Sequence, residues 1–208
     1  MTDISSWIKE RLTADCELNR PELRELAVAL SQEEQLWRPL VRHDLTERVY
    51  HQLYRDPSVD VWLICWTHRQ DTGYHDHDRS SGAVCVCDGT LWEDYFQRNE
   101  EGWIREQTRR HEAGSSFDFA ATYIHGVRNE GDEPATSVHV YSPALWRMGH
   151  YDPDANGIMQ RISMTYADET ARRRLIRPRT ETHQVGSVPP FRRMPGDPWR
   201  SHRSRSRL

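Results

Sequence analysis

The spacing of apolar residues changes near residue 47, from the repeat of a helix to that of a strand. Before that point, Asn19 can cap a helix and Pro21 suits its first turn. The apolar positions that follow fall on one helix face: Leu23, Leu26, Ala27 and Leu30. Another helix is expected nearer the N-terminus. Ser31, with Glu34 three residues later, has the form of a capping box and predicts a third, short helix that ends or kinks at Pro39.

After residue 47, short segments rich in Val, Tyr, Trp, Thr and Phe predict strands over 47–54, 59–66, 82–87, 90–96, 103–109, 116–124, 136–141 and 158–166. No helical pattern intervenes, so we expect an antiparallel sandwich or barrel. Asp88-Gly89, between two of these strands, is typical of a two-residue hairpin turn. Alternation in strand 136–141 makes one face apolar and places Ser137, His139 and Tyr141 on the other.

The composition of the last 38 residues differs from that of the rest of the chain. The chain has 208 residues, the length of one domain with appendages, and a formal net charge of −4. Residues 171–208 hold eleven Arg, only two acidic residues and five of the eleven Pro, which predicts a disordered basic tail. This tail lacks aromatic spacing suited to base stacking, so no specific nucleic-acid partner is expected. We expect helices over 1–44, a barrel over 45–170 and the tail over 171–208.

Several classes of protein are disfavoured. The longest apolar run, residues 61–66, is far shorter than the roughly 20 residues that cross a bilayer, so no membrane segment is expected. The first twelve residues do not have the pattern of a secretory signal. The four Cys have no C-x-x-C spacing, which argues against a disulfide framework or a zinc ribbon. The expectation is a cytoplasmic monomer.

Three of the eleven His are candidate metal ligands. His75 and His77 are two residues apart, so on an extended segment both imidazoles lie on one face and can share a metal ion. His125, at the end of strand 116–124, is the third. Taken singly, each has an ordinary alternative, a solvent-facing His in a polar loop or a strand-end His bonded to backbone. A dinuclear hydrolase would continue as H-x-H-x-D-H, which the sequence after His77 does not match, and an amidohydrolase barrel needs roughly 250 residues.

Together these motifs resemble the cupin signature, which has one H-x-H motif followed by glycine and a second motif ending H-x-x-x-N. The matching residues are His75, His77, Gly82, Gly89, His125 and Asn129. Within the cupins, the chain is similar to cysteine dioxygenase and related thiol dioxygenases. Residues 66–77 resemble their W…HDH segment, and residues 137–143, SVHVYSP, resemble their S-x-H-x-Y-S-P segment. The similarity covers about residues 45–152.

The resemblance implies an all-β dominated cupin fold, a double-stranded β-helix or jelly-roll barrel. It implies an Fe(II) ion without a carboxylate ligand, held by His75, His77 and His125. Three neutral imidazoles leave the metal's charge uncompensated, which suits an anionic thiolate. The implied reaction joins O2 to a small thiol, with cysteine the leading substrate, to give the sulfinic acid. Likeness to the family assigns Tyr141 to hydrogen bonding with substrate or oxygen, oriented by His139 and Ser137.

Two positions depart from the family pattern. The Cys that mammalian-type enzymes crosslink to the Tyr falls at Gly82, so no such crosslink is expected, and Cys85 and Cys87 are expected to be ordinary buried thiols. Tyr50 stands in place of the Arg that grips the substrate carboxylate, with Arg48 two residues away on the same strand face. Either Arg48 takes the anion contact, or the substrate is not free cysteine. A cupin oxygenase acting on another small molecule in secondary metabolism and a non-catalytic metal-binding sensor therefore stay open as alternatives.

Overall fold

The computed structural model describes residues 3–13, 16–98, 104–154 and 158–166. Its helices are α1 (Ile4–Lys9), α2 (Arg20–Gln32) and α3 (Glu34–Trp37), followed by a 3-10 turn over Arg38–Leu40. The strands in the described residues are β1 (Val49–Arg55), β2 (Asp60–Trp66), β3 (Tyr74–His75), β4 (Ser81–Asp88), β5 (Thr90–Arg98), β6 (Ile104–Glu112), β7 (Ser116–Phe119), β8 (His125–Arg128), β9 (Ala135–Ser142), β10 (Arg147–Pro153) and β11 (Met159–Tyr166). None of the helices in these ranges is long and apolar enough to cross a membrane.

The strands form two antiparallel sheets. The first sheet has the order β1-β2-β9-β4-β7, and the second has the order β11-β10-β3-β8-β5-β6. All of the strand pairings that link neighbours in these sheets are antiparallel. This arrangement confirms the predicted architecture, in which strands dominate and short helices precede them.

The first sheet has a different apolar cluster on each face. One cluster joins α2 to the sheet, and it includes Leu23 and Leu30 of the helix with Val138 and Val140 of β9. The other cluster contains Trp66, Val84 and Tyr141 together with Leu91 and Val127 of the second sheet, so it lies between the sheets. β9 therefore alternates as predicted, with its valines toward the helix. Its other face carries the polar row, Ser137, His139 and Tyr141, which lies toward the space between the sheets.

The helix signals are partly confirmed. The Asn19 side chain accepts from the Glu22 N–H at 3.1 Å, and the Glu22 carboxylate accepts from the Asn19 N–H at 2.7 Å. The capping box predicted at Ser31 is wrong, because α2 continues through Gln32 and the Ser31 hydroxyl donates to the carbonyl of Val28. The helix continues because the apolar stripe through Leu30 is still packed against the sheet. α3 begins without a side-chain cap.

The hairpin predicted at Asp88-Gly89 is wrong, because β4 and β5 belong to different sheets. Gly89 has a φ of +73° and is the only residue of the pair in the left-handed region, whereas a type I′ turn needs two. A Cβ at Gly89 would overlap the Pro134 carbonyl and lie 2.8 Å from the Ala135 Cα. The glycine therefore allows the chain to pass close to the start of β9 as it crosses from one sheet to the other.

The single strand predicted over 116–124 is also wrong. Only its first part is a strand, β7, and residues 120–124 belong to no strand. His125 begins β8, which lies in the other sheet, instead of ending a strand. Three of the described strands were not predicted: β3, β8 and β10. β3 has two residues and β8 four, and β10 contains Gly149, Asp152 and Pro153. The predicted tail over 171–208 lies outside the described residues, and the three-part division of the chain stays a prediction.

Candidate metal centre

The second sheet brings the three candidate ligands together. His75 of β3 is the register partner of His125 of β8, and His77 follows two residues after His75. The ring centroids are 4.8 Å apart for His75 and His77, 4.9 Å for His75 and His125, and 5.3 Å for His77 and His125. One nitrogen from each ring can be chosen so that all three lie within 4.8 Å of one another. All three side chains are buried, so the cluster has the geometry of a metal site.

Two of these imidazoles are oriented through their Nδ1 atoms. His75 Nδ1 lies 3.1 Å from the Gly73 carbonyl, and His125 Nδ1 lies 3.0 Å from Glu93 Oε1. A carbonyl can only accept, and an ionised carboxylate likewise accepts, so each Nδ1 carries the proton and each Nε2 keeps its lone pair for a metal. Burial alone would raise the pKa of Glu93, but hydrogen bonds from His111 and His125 outweigh it and lower the pKa to about 2.

His77 provides the clearest test of whether a metal fits. Its side chain is fully buried, yet neither ring nitrogen has a hydrogen-bond partner within the described part of the chain. Burial, with His75 and His125 nearby, holds its pKa well below the usual range, so the ring is a neutral base. A buried polar atom left unsatisfied costs about 1–3 kcal/mol, a cost that coordination removes. Three neutral imidazoles suit iron, zinc, copper or nickel.

The polar row of β9 forms a hydrogen-bonded chain beside this cluster. The Trp66 indole donates to Ser137 Oγ at 2.9 Å, Ser137 Oγ lies 2.8 Å from His139 Nε2, and His139 Nδ1 lies 3.3 Å from the Tyr141 hydroxyl. Burial lowers the pKa of His139 to about 3 and raises the pKa of Tyr141. The Tyr141 ring centroid is 5.1 Å from that of His77. The row and the candidate ligands therefore share one buried site.

The direction of these hydrogen bonds follows from Trp66. An indole N–H can only donate, so Ser137 Oγ accepts from it. Among the described residues the buried Ser137 hydroxyl has one other partner, His139 Nε2, so satisfying its O–H requires donation to that nitrogen. Neutral His139 then carries its proton on Nδ1 and donates it toward Tyr141. The phenolic proton of Tyr141 is left to point away from His139.

The two predicted substrate contacts lie on the same side of the first sheet. Arg48 precedes β1 and places its guanidinium Cζ 4.8 Å from the Trp66 ring centroid and 5.7 Å from that of Tyr50. Its Nη1 donates to the Asp71 carbonyl, whereas its buried Nε has no hydrogen-bond partner among the described residues. The Tyr50 ring packs edge-on against Trp62, with the centroids 6.4 Å apart. After burial and His125, the charge of Arg48 further lowers the pKa of His139, which indicates that Arg48 acts on the site electrostatically.

Gly82 pairs with Tyr141 across β4 and β9. A Cβ at Gly82 would lie 2.5 Å from Phe119 Cε2 and 2.9 Å from Tyr141 Cδ1. The Phe119 ring therefore fills the space that a side chain at Gly82 would need, and it also stacks on His77 with the centroids 4.6 Å apart. Cys85 is buried as expected, with its Sγ 3.2 Å from Ser31 Oγ of α2, whereas Cys87 is half-buried.

Sequence reasoning missed three residues that shape the site: Glu93, Phe119 and Asp76. Glu93 carried a signal, since it alternates with Leu91 and so is an acidic residue on an apolar strand face. Asp76 accepts from the Tyr151 hydroxyl at 2.5 Å, from Arg161 Nη2 at 2.9 Å and from the Gly149 N–H at 3.1 Å. These bonds tie the segment that carries His75 and His77 to β10 and β11.

Comparisons with known proteins give one family match. The model of the family described as "Cysteine dioxygenase type I" matches residues 3–154. Among solved structures, a protein from Thermus thermophilus is 20% identical, with 51% of this chain and 93% of that chain covered and a TM-score of 0.42. A cupin superfamily protein from Desulfitobacterium hafniense is 10% identical, with 50% and 84% covered and a TM-score of 0.42. A double-stranded β-helix protein from Klebsiella pneumoniae is 21% identical, with 51% and 85% covered and a TM-score of 0.39.

Proposed function

Because the chain belongs to the cysteine dioxygenase type I family and has a cupin fold, we propose that it is a non-haem iron-dependent thiol dioxygenase. The proposed reaction converts a small thiol and O2 into the sulfinic acid, and cysteine is the leading candidate for the thiol. It balances without any further reductant: R–SH and O2 give R–SO2H, the sulfur is oxidised, and both oxygen atoms end on it. The proposed metal ligands are His75, His77 and His125.

The observation that carries this proposal is the position of His77. Both of its ring nitrogens lack partners in the described residues, and its ring lies beside Tyr141. A ligand set of three neutral imidazoles does not offset the charge of a divalent metal, so an anionic thiolate is attracted to the site. A bound Fe(II) would supply the Lewis acidity that deprotonates the thiol and the electron transfer that O2 reduction requires.

The polar row of β9 is proposed to act on the substrate and oxygen. Tyr141 has a phenolic proton directed away from His139, and it can donate this proton in a hydrogen bond to a neighbouring oxygen or sulfur. His139 and Ser137 keep that proton available, because the chain of donors that begins at Trp66 prevents Tyr141 from donating to His139. Raised by burial, the pKa of Tyr141 keeps the phenol protonated at neutral pH.

Arg48 and Tyr50 are proposed to contact the rest of the substrate. The buried Nε of Arg48 lacks a protein partner among the described residues, and a substrate carboxylate would satisfy it with a charge-assisted hydrogen bond. The Asp71 carbonyl and the Trp66 face hold the guanidinium in place. This arrangement favours a thiol that also carries a carboxylate. A second candidate, a cupin oxygenase for another small molecule, is favoured by Tyr50 at the position where the family has its substrate-binding Arg.

Oxygen uptake tests the proposal. Apoprotein is loaded with Fe(II) without air, mixed with aerated buffer, and offered cysteine, 3-mercaptopropionate or cysteamine while dissolved O2 is followed. We expect uptake with at least one thiol, and none with apoprotein, with zinc-loaded protein or with His77→Ala. Absence of uptake with all three thiols from iron-loaded wild type would refute the assignment. The cytoplasmic location and the monomeric state stay predictions.

A further inference from the structure

Glu93 is a buried carboxylate on β5, the strand that pairs with β8, which carries the candidate ligand His125. Its side chain is 1% exposed. Its two oxygens are used separately: Oε1 lies 3.0 Å from His125 Nδ1, and Oε2 lies 3.0 Å from His111 Nε2. The His111 ring is itself fixed, because it stacks on Phe117 with the centroids 4.2 Å apart. Glu93 is therefore held rigidly behind one ligand, between two imidazoles.

Orientation of His125 alone does not require a carboxylate. At His75 the same task, holding Nδ1–H so that Nε2 is available, is performed by the neutral carbonyl of Gly73. Taking a carboxylate out of water costs several kcal/mol even after relaxation, whereas a backbone carbonyl or an amide would orient the ring at lower cost. The charge itself is thus the feature that distinguishes the partner of His125 from the partner of His75.

We propose that Glu93 is a positioning residue that supplies the metal, through His125, with the negative charge that the ligand set lacks. The inference rests on the proposed metal site. A carboxylate that accepts the Nδ1 proton fixes the tautomer of the ring and makes Nε2 a more basic donor. The metal then binds more tightly, and its more highly charged oxidation state is stabilised. His111 acts on the second oxygen and keeps the carboxylate aligned.

Metal binding measured without thiol and without O2 tests this role. In Glu93→Gln the amide oxygen can still accept from His125 Nδ1, while the charge is lost. We expect competition with a chromophoric chelator for Co(II) and for Fe(II) to show affinity about 10–100-fold weaker than in wild type. We also expect the Fe(III)/Fe(II) midpoint potential of the loaded variant to rise. The matched control is Glu112→Gln, which removes an exposed carboxylate paired with Arg110.

The conservative variant separates charge from packing. Glu93→Asp keeps the charge on a shorter side chain, so its metal affinity should lie closer to wild type than that of Glu93→Gln. Equal affinities and equal potentials in wild type and Glu93→Gln would overturn the inference, as would a Glu93→Asp variant that binds no better than Glu93→Gln. Wild type that binds metal tightly but oxidises no thiol would count against the proposed function and leave the role of Glu93 intact.

Discussion

The guanidinium of Arg48 lies against the indole of Trp66, with Cζ 4.8 Å from the ring centroid. The same indole donates to Ser137, at the start of the polar row that ends at Tyr141. One fully buried aromatic side chain therefore supports both the proposed anion-binding group and the proposed hydrogen-bond donor. Replacing Arg48 tests the proposed anion contact, and replacing Trp66 tests the direction of the hydrogen bonds that reach Tyr141.

Replacement of Arg48 should discriminate between thiols. Arg48→Met is expected to lower kcat/KM for cysteine by about 10–100-fold, mainly through KM, since a hydrogen bond to a charged group contributes about 1.5–3 kcal/mol. Cysteamine, which has no carboxylate, should be affected far less. Steady-state oxygen uptake with both thiols measures the difference. Arg38→Met is the matched control, because Arg38 lies over Trp37 in the same way, 5.0 Å from its centroid, in the helical segment. Equal losses for both thiols would refute the anion contact.

Replacement of Trp66 should affect turnover more than binding. Trp66→Phe removes the donor that makes Ser137 donate to His139, so Tyr141 can donate to His139 instead of to the substrate. We expect kcat to fall about 10-fold or more with a smaller change in KM. Trp37→Phe is the control, since it removes another indole hydrogen bond, a half-buried one to the Ser31 carbonyl, away from the site. An unchanged kcat in Trp66→Phe would show that the direction of the hydrogen bonds along the polar row does not affect turnover.

Acid should destabilise the apoprotein through its buried imidazoles. Burial lowers the pKa of His139 from 6.5 to about 3, so between these pH values the unfolded chain binds a proton that the folded chain does not. The stability is fully present above about pH 6.5 and is lost as the pH falls toward about 3, by about 1.4 kcal/mol per pH unit for that proton. His75 and His77, whose pKa values are also lowered by burial, act in the same direction.

This linkage is measured by urea unfolding of metal-free protein at a series of pH values. His139→Gln should show a shallower loss of stability below pH 6.5 than wild type, by about one proton. His68→Gln, which removes an exposed imidazole, is the control. If wild type and His139→Gln had the same pH dependence, His139 would not be held neutral by the fold.

Gly82 should not accept a side chain while Phe119 is present. Gly82→Ala is expected to destabilise the protein by about 1–3 kcal/mol, because the new methyl would overlap the Phe119 ring beneath Tyr141. Thermal or urea unfolding measures the effect. Combination with Phe119→Leu should recover part of the loss in a double-mutant cycle. Gly131→Ala, whose Cβ would make an ordinary contact at 3.4 Å, should change little. An equal effect at both glycines would contradict the packing account.

The parts of the fold that depend on local pattern could be predicted from the sequence. The capped α2 and the alternation of β9 follow from side-chain periodicity, and the H-x-H spacing placed two ligands on one face. Sheet membership could not be predicted, because it depends on contacts between distant segments. The Asp88-Gly89 sequence has the composition of a hairpin, yet Gly89 allows a close approach to Ala135 and a crossing between sheets. The alternation of β5 marks Glu93 as an acidic residue on an apolar face, but its place behind His125 could not be predicted, since it depends on the pairing of β5 with β8.

Labelled oxygen tests the central claim most directly. Iron-loaded wild type is allowed to turn over cysteine, or the thiol that gives the fastest oxygen uptake, under ¹⁸O2 in ordinary water, and the product is analysed by mass spectrometry. The account predicts a sulfinic acid that carries two labelled oxygen atoms, with one O2 consumed for each product molecule. A product with one labelled atom or none, or a disulfide formed in place of the sulfinic acid, would contradict it.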